Sequence, residues 1–261
     1  MGNQLSNYGK SVKAVLTAGV QSTKSDIPLG QKFEDGERVY RWAFIKVASV
    51  PPGVGLVAKS VMSTTSTTIL SGADGLFNSA TAGWGGGAGD TKVKLYGASG
   101  LTDEDMYEDG TFEIVSGPGK GFSYKVNSYE RGGTGVNVLQ LEDPIVVKLS
   151  TTTQAYLRPN KYYGLGLQGA ALSGTYQFVR GGVTTMSVTA SGYCLVQTKG
   201  PGIGQSIAAL SAGRAVAPMN VSGQISAVVV STTAGDVQPW GYTLGASAGA
   251  DDYLAVDWCI E

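Results

Sequence analysis

The sequence contains no histidine, and its 261 residues carry a formal net charge of only -1. Without histidine, the chain lacks the side chain that most often acts as a general base or as a neutral metal ligand. The charged fraction is also low, at 15%, which leaves no basic surface of the kind that binds nucleic acid or a membrane. We therefore expect neither partner, and we expect recognition by shape and polar contacts.

Cysteine is scarce as well. Cys194 and Cys259 are the only two cysteines, and they belong to no cluster with the spacing of metal ligands. Because free cysteine is often buried, the sequence favours two reduced, buried thiols over a disulfide between them. Free thiols would suit a protein that folds in the cytoplasm.

Long hydrophobic runs are absent too. No segment approaches the roughly 18 consecutive apolar residues that span a membrane. Residues 1–20 lack the continuous apolar core of a secretory signal peptide. These features lead us to expect a soluble, unprocessed chain.

Glycine, in contrast, is abundant, with 39 residues. The glycines occur singly and in short clusters without a three-residue period, so a collagen-like structure is excluded and many turns are predicted. Between residues 107 and 162, such turns alternate with strand-like segments whose apolar residues fall two apart. This β-meander places one apolar set on a buried face of each of its first two strands: Phe112 and Ile114, then Phe122, Tyr124 and Val126.

The meander continues over residues 136–141, 145–149 and 154–157, each of which we predict to be a strand. Residues 117–121, Gly-Pro-Gly-Lys-Gly, superficially match a phosphate-binding loop. They lack the Ser or Thr that should follow the lysine, and no helix follows them. The segment is therefore predicted to be a tight turn between two strands.

The last strand of the chain has the most regular alternation. In YLAVDWCIE, successive side chains point to opposite sides. One face carries Leu254, Val256, Trp258 and Ile260, and the other carries Tyr253, Ala255, Asp257 and Cys259. No amphipathic pattern is long enough to predict a helix anywhere in the chain.

These patterns predict an all-β fold, an antiparallel meander or sandwich with a small C-terminal unit resembling a β-barrel. We predict an extended N-terminal arm over residues 1–30 and a β-rich domain over 31–165, which contains a long loop at about 63–89. The C-terminal β unit would occupy residues 166–261, because the glycine-dense segment after Tyr163 is typical of a domain boundary.

No motif in the chain indicates catalysis. The acidic group Asp103, Glu104, Asp105, Glu108 and Asp109 does not match a calcium loop and is better interpreted as a solvated turn. Glu142 and Asp143 are carboxylates, but nothing marks them as a glycosidase pair. We accordingly predict no enzyme, no catalytic residue, no cofactor and no metal ligand.

Three parts of the sequence resemble virion structural proteins of tailed bacteriophages, notably those of marine and cyanobacterial phages. They are the meander segments YEDGTFEIVSGPGKGFSYKVNSYE and VLQLEDPIVVKLSTTTQAYLRPNKY, the closing segments YCLVQTKGPGIGQSIAALSAGRAVAPMNVSGQIS and WGYTLGASAGADDYLAVDWCI, and the front segment LGQKFEDGERVYRWA. The resemblance implies a capsid decoration (cement) protein: a β-rich homotrimer that binds the major capsid protein outside the head and locks neighbouring capsomers. It would fold in the host cytoplasm and then join the virion exterior.

For such a role we expect contacts from the arm and from the long loop. An arm could add a strand to a neighbour or be a frayed terminus, and the loop could dock on a neighbour or fold back. The candidate capsid or inter-subunit contacts are Leu5, Tyr8, Val12, Val15, Leu16, Leu76, Phe77 and Trp84. A host glycan-binding module of the head or tail, using exposed tyrosines and tryptophans, is the alternative function.

Overall fold

The computed structural model describes residues 11–47, 49–58, 68–71, 85–96, 106–131, 136–167, 179–218, 222–228 and 239–261. These residues form an almost entirely β structure, which confirms the predicted all-β class. The chain divides into two compact units. Unit 1 comprises Met1–Lys59 and Tyr162–Glu261, and unit 2 comprises Ser60–Lys161.

The elements are numbered in chain order. Unit 1 contains α1 (Val12–Ala18), β1 (Lys32–Asp35), β2 (Arg38–Ile45), β3 (Gly55–Ala58), β10 (Leu165–Gly166), β11 (Arg180–Thr184), β12 (Gly192–Gln205), β13 (Ala215–Pro218), β14 (Ile225–Ala227), β15 (Gly241–Thr243) and β16 (Tyr253–Cys259). Unit 2 contains β4 (Thr68–Ser71), β5 (Lys92–Tyr96), β6 (Thr111–Ser116), β7 (Ser123–Arg131), β8 (Val136–Leu141) and β9 (Gln154–Arg158).

Five strands of unit 1 close into a ring of paired strands, the first circuit. Strand β2 pairs with β10 in parallel, and the ring continues antiparallel through β3, β11 and β12 back to β2. Closure leaves these strands without an open edge. The first seven residues of β12 are all buried, as a strand covered on both faces should be.

From Lys199 onward, the same strand β12 belongs to a second circuit. Gly200 has a φ of 84°, and residues 199–205 pair with β16. Pairing continues through β15, β13 and β14, and an isolated bridge from Ser206 to Ile225 returns to the end of β12. The predicted C-terminal barrel corresponds to this circuit, but it is not a separate domain because β12 belongs to both circuits.

The predicted N-terminal arm is wrong for residues 11–30. Ser11 caps α1, and two valines of that helix, Val12 and Val15, are buried. Gln21 then exchanges two backbone hydrogen bonds with Tyr193, at 2.9 and 2.8 Å. The helix was missed because a seven-residue helix is too short to show a periodic apolar face; residues 1–10 lie outside the described residues.

The predicted boundary between residues 165 and 166 also differs from the structure. Strands β2 and β3 precede unit 2 in the chain but pair with β10, β11 and β12, which follow it. Unit 2 is thus an insertion between β3 and β10. Such pairing across a long insertion leaves no local signal in the sequence.

Unit 2 is a six-stranded antiparallel sheet in the order β4-β9-β6-β7-β8-β5. Its core includes Phe112, Ile114, Tyr124 and Val126, as the alternation predicted. The turn predicted at residues 117–121 connects β6 to β7. Within the predicted loop at 63–89, the structure describes β4 and residues 85–89, and the remainder lies outside the described residues.

Two predictions for unit 2 are wrong. Phe122 is 38% exposed, because it precedes the first residue of β7 and is not held on the buried face of the sheet. Residues 145–149 are not a strand. Their backbone bonds instead to the loop before β5, from Ile145 N to Asp90 O and from Leu149 N to Gly86 O, at 2.8 Å each.

Candidate interaction surface

The outer side of the second circuit presents a continuous apolar surface. In the register of β12 and β16, Ile203 lies opposite Ala255, and the Leu244 amide donates to the Ala255 carbonyl on the other side of β16, at 2.8 Å. Tyr242 lies opposite Asp257. Directly opposed residues of antiparallel strands share a face with their Cβ atoms about 5 Å apart, so these side chains adjoin.

We call the surface formed by Ile203, Tyr242, Leu244, Tyr253 and Ala255 the barrel face. The exposed fractions of its four large side chains are 45% for Ile203, 49% for Tyr242, 58% for Leu244 and 48% for Tyr253. With roughly 100 Å² from each half-exposed side chain, they offer about 400 Å² of apolar surface. A patch of this size is within the range of the largest patch on a typical monomer and is often functional.

The alternation of β16 produces this surface. Leu254, Val256 and Trp258 are buried in the core, whereas Tyr253, Ala255 and Asp257 point outward. The loop before β16 is fixed by Asp252, whose Oδ2 accepts hydrogen bonds from the Ala248 and Gly249 amides at 2.9 and 2.8 Å. The barrel face is therefore held on ordered backbone rather than on a loose loop.

Unit 2 carries a smaller apolar surface, which we call the turn patch: Phe122, Val146 and Val147, exposed by 38%, 58% and 37%. Tyr124 joins its parts, because its ring stacks on Phe122 at 6.3 Å and its hydroxyl accepts a 3.0 Å hydrogen bond from the Val146 amide. The turn patch is therefore one local cluster beside the turn at residues 117–121.

A polar cluster in unit 1 joins distant parts of the chain. Glu261 accepts hydrogen bonds from Arg41 and from the hydroxyl of Tyr162. Burial, followed by the hydrogen bond to Glu261, raises the pKa of Tyr162 above its ordinary value. A tyrosine that stays protonated and bonded to a carboxylate holds structure together and is not poised as a base, so we assign this cluster a structural role.

The predicted contact residues are only partly described. Val12 and Val15 are 5% and 3% exposed and pack in the core of unit 1, and Leu16 is half-buried. As long as α1 stays docked, these two valines are not available as contacts, which corrects the prediction. Leu5, Tyr8, Leu76, Phe77 and Trp84 lie outside the described residues.

Both cysteines are free, but only Cys194 is buried. Cys259 is exposed because it lies on the outward face of β16, which corrects the prediction of two buried thiols. Within the described ranges, no three His, Cys, Asp or Glu side chains lie close enough together to hold a metal ion. Among the same residues, no helix has both the length and the hydrophobicity needed to span a membrane.

Sequence reasoning missed the barrel face. The signal for one of its members was present, because Tyr253 is a large aromatic residue on the face of β16 that also carries Asp257 and Cys259. The positions of Ile203 and Leu244 beside it depend on the register of three strands. Short segments do not reveal that register.

Comparisons of the chain with protein-family models, with curated proteins and with solved structures found no match.

Proposed function

We propose that this protein is a non-enzymatic capsid decoration protein of a tailed bacteriophage. It binds the major capsid protein on the outside of the head and stabilises contacts between neighbouring capsomers. In this proposal the chain folds in the host cytoplasm, associates with further copies of itself and then joins the virion. The resemblance of the meander and of the closing segments to virion structural proteins supports the phage assignment.

The barrel face is the observation that carries the proposal. Four large apolar side chains are about half exposed on one ordered sheet surface, and leaving them in water forgoes the free energy that their burial would supply. An ordered apolar patch of this size is often functional, and it suits a protein-binding role. Burying surface between protein copies is the work of a shell component.

The number of copies of this protein per purified phage particle tests the decoration role. A decoration protein occupies many equivalent positions, so we expect on the order of hundreds of copies per particle, with avidity strengthening each attachment. Quantitative mass spectrometry against the major capsid protein measures this ratio, and an icosahedral reconstruction locates the density. A handful of copies at the tail would contradict a decoration role.

Particle stability gives a second measurement. A protein that binds only the assembled head shifts the equilibrium toward that state. Heads that lack the protein should therefore release their DNA at a lower temperature, and adding back the purified protein should restore the wild-type temperature. An unchanged release temperature would argue against stabilisation of the head.

A glycan-binding function is the second candidate. Tyr242 and Tyr253 are 49% and 48% exposed on the same face, and a half-exposed tyrosine offers both an apolar ring and a hydroxyl. Binding of the purified chain to host surface polysaccharide, compared with a Tyr242→Ala, Tyr253→Ala double variant, tests this function. Binding that is lost in the variant, together with a low copy number, would favour the glycan-binding role.

A further inference from the structure

Charged side chains of opposite sign accompany the two apolar surfaces. On the barrel face, Asp257 lies directly opposite Tyr242 and points outward. Beside the turn patch, Lys120 is in the turn before Phe122, and Lys148 follows Val147; both lysines are exposed. None of these three side chains forms an ion pair with another described residue.

Two cationic residues of the second circuit, Lys199 and Arg214, are not among the residues of the barrel face. Lys199 is opposite Cys259, two residues along β16 from Asp257. The hydrogen bond and charge of Lys32 chiefly lower the pKa of Glu34, and the charge of Lys199 contributes least. Arg214 immediately precedes β13, where its amide donates to Thr243 Oγ1. The centre of the barrel face therefore combines apolar groups with a carboxylate, and the turn patch combines apolar groups with two ammonium groups.

We propose that the barrel face of one copy binds the turn patch of another copy of this chain. The apolar groups are buried against each other, while Asp257 approaches Lys120 and Lys148. The proposed contact joins two different copies of the chain. The proposal rests on the proposed role of the barrel face as a protein-binding surface.

The charges also select this arrangement over a symmetric one. Two barrel faces in contact would bring two Asp257 carboxylates together, and two turn patches would bring four lysines together. Like charges at an interface disfavour those pairings. A contact between two different surfaces is heterologous, and repeated copies form a closed ring when the rotation closes.

The apolar area fits an interface of modest strength. A standard interface removes about 800 Å² from each partner, of which somewhat more than half is apolar. The barrel face supplies about 400 Å², close to that amount, and the turn patch supplies less. We therefore expect an oligomer that dissociates on dilution.

Charge reversal tests the proposed contact on the full-length chain. Sedimentation equilibrium from about 1 to 200 µM, a range that covers typical weak interfaces, should show the wild type above its 26.9 kDa chain mass. Asp257→Lys alone, and Lys120→Glu with Lys148→Glu, should each weaken association at least about tenfold. The chain that carries all three changes should regain association, because every contact again pairs opposite charges.

Matched controls separate this contact from general charge effects. Lys13→Glu and Asp26→Lys alter exposed residues of unit 1 that belong to neither surface and should leave association unchanged. Leu244→Asp should abolish association, whereas Thr23→Asp, at an exposed position that belongs to neither surface, should not. Circular dichroism and melting curves confirm that each variant is folded.

Three outcomes would overturn the proposal: a monomeric wild type over the whole concentration range, failure of the triple variant to regain association, or loss of association in Leu244→Asp without any effect of the charge reversals. The last result would indicate contact between two barrel faces. All these measurements use the purified chain without particles, so they fail or succeed separately from the copy-number test of the decoration role.

Discussion

Arg41 forms a bidentate ion pair with Glu261, which lies 220 positions later in the chain. Arg41 Nε lies 3.1 Å from Glu261 Oε1, and Arg41 Nη2 lies 2.9 Å from Glu261 Oε2. The Tyr162 hydroxyl also donates to Oε1, at 2.5 Å, and Arg41 Nη1 donates to the Gly30 carbonyl at 2.9 Å. The cluster thus joins β2, the residues before β1, the return from unit 2 and the residues after β16.

Replacing Arg41 with Ala should lower the free energy of unfolding. Paired, charge-assisted hydrogen bonds are stronger than neutral ones, but these side chains are 25% and 24% exposed, so solvent weakens them. We expect a loss of about 1–2 kcal/mol, measured by urea unfolding. The matched control is Glu34→Gln, which breaks the exposed ion pair with Lys32 and should cause no measurable change. Equal effects of the two variants would contradict the structural role of the cluster.

Stability should fall at alkaline pH because of Cys194. Burial raises the pKa of its thiol to about 12, whereas an unfolded cysteine titrates near 8.5. Between these two pKa values, the folded chain retains a proton that the unfolded chain releases. The stabilisation from burying the neutral thiol is therefore complete below the pKa of the unfolded cysteine, and it is lost as the pH rises toward the pKa of the folded cysteine. The expected slope from this thiol is up to about 1.4 kcal/mol per pH unit.

Urea unfolding at pH 8 to 10.5 measures that slope. Cys194→Ala removes the thiol and should flatten the pH dependence between pH 9 and 10. Tyr162 should still cause a decline at higher pH, because its pKa is also raised by burial. Identical slopes for the wild type and Cys194→Ala would show that the thiol does not contribute.

The two thiols should differ sharply in reactivity. Cys259 is exposed and Cys194 is buried, and only an accessible thiolate reacts readily with a disulfide reagent. At neutral pH we expect one fast-reacting thiol per folded chain and two per chain in urea. The reaction is monitored by the absorbance of the thiolate that the reagent releases. Cys259→Ser should remove the fast phase, and a fast phase that persists would mean that Cys194 is accessible.

Gly200 should be essential where β12 changes from pairing with β2 to pairing with β16. Its φ of +84° disfavours a side chain, and an added Cβ would lie 2.3 Å from the Glu37 carbonyl oxygen. Gly200→Ala should therefore cost about 2 kcal/mol or more of unfolding free energy. Gly249→Ala is the control, because no atom lies within 4 Å of its added Cβ. Comparable unfolding curves for the two variants would contradict this account of Gly200.

Local patterns predicted several strands well. The segment at residues 136–141 is β8, and the alternation of the last strand correctly separated the buried Leu254, Val256 and Trp258 from the outward face. These predictions succeeded because side-chain alternation is a property of each strand by itself. The assignment of residues 145–149 as a strand failed, although Ile145 and Leu149 are buried in the core of unit 2. Apolar spacing reports burial, but it does not report whether a neighbouring strand is present.

The interaction surfaces were harder to predict than the strands. The contacts expected from residues 1–30 assumed an undocked segment, and docking of Val12 and Val15 in the core depends on residues far along the chain. The barrel face requires three strands in register. Neither arrangement leaves a pattern within one short segment, so sequence reasoning assigned the contacts elsewhere.

The sequence by itself determined the all-β class, the glycine turns and the buried face of the most regular strands, because these follow from the chemistry of neighbouring residues. Only the tertiary structure decided that unit 2 interrupts unit 1, that β12 is shared by two circuits and that Ile203, Leu244 and Tyr253 adjoin. The physical reason is that every strand offers the same backbone donors and acceptors. The choice of partner is made by packing and closure of the whole sheet.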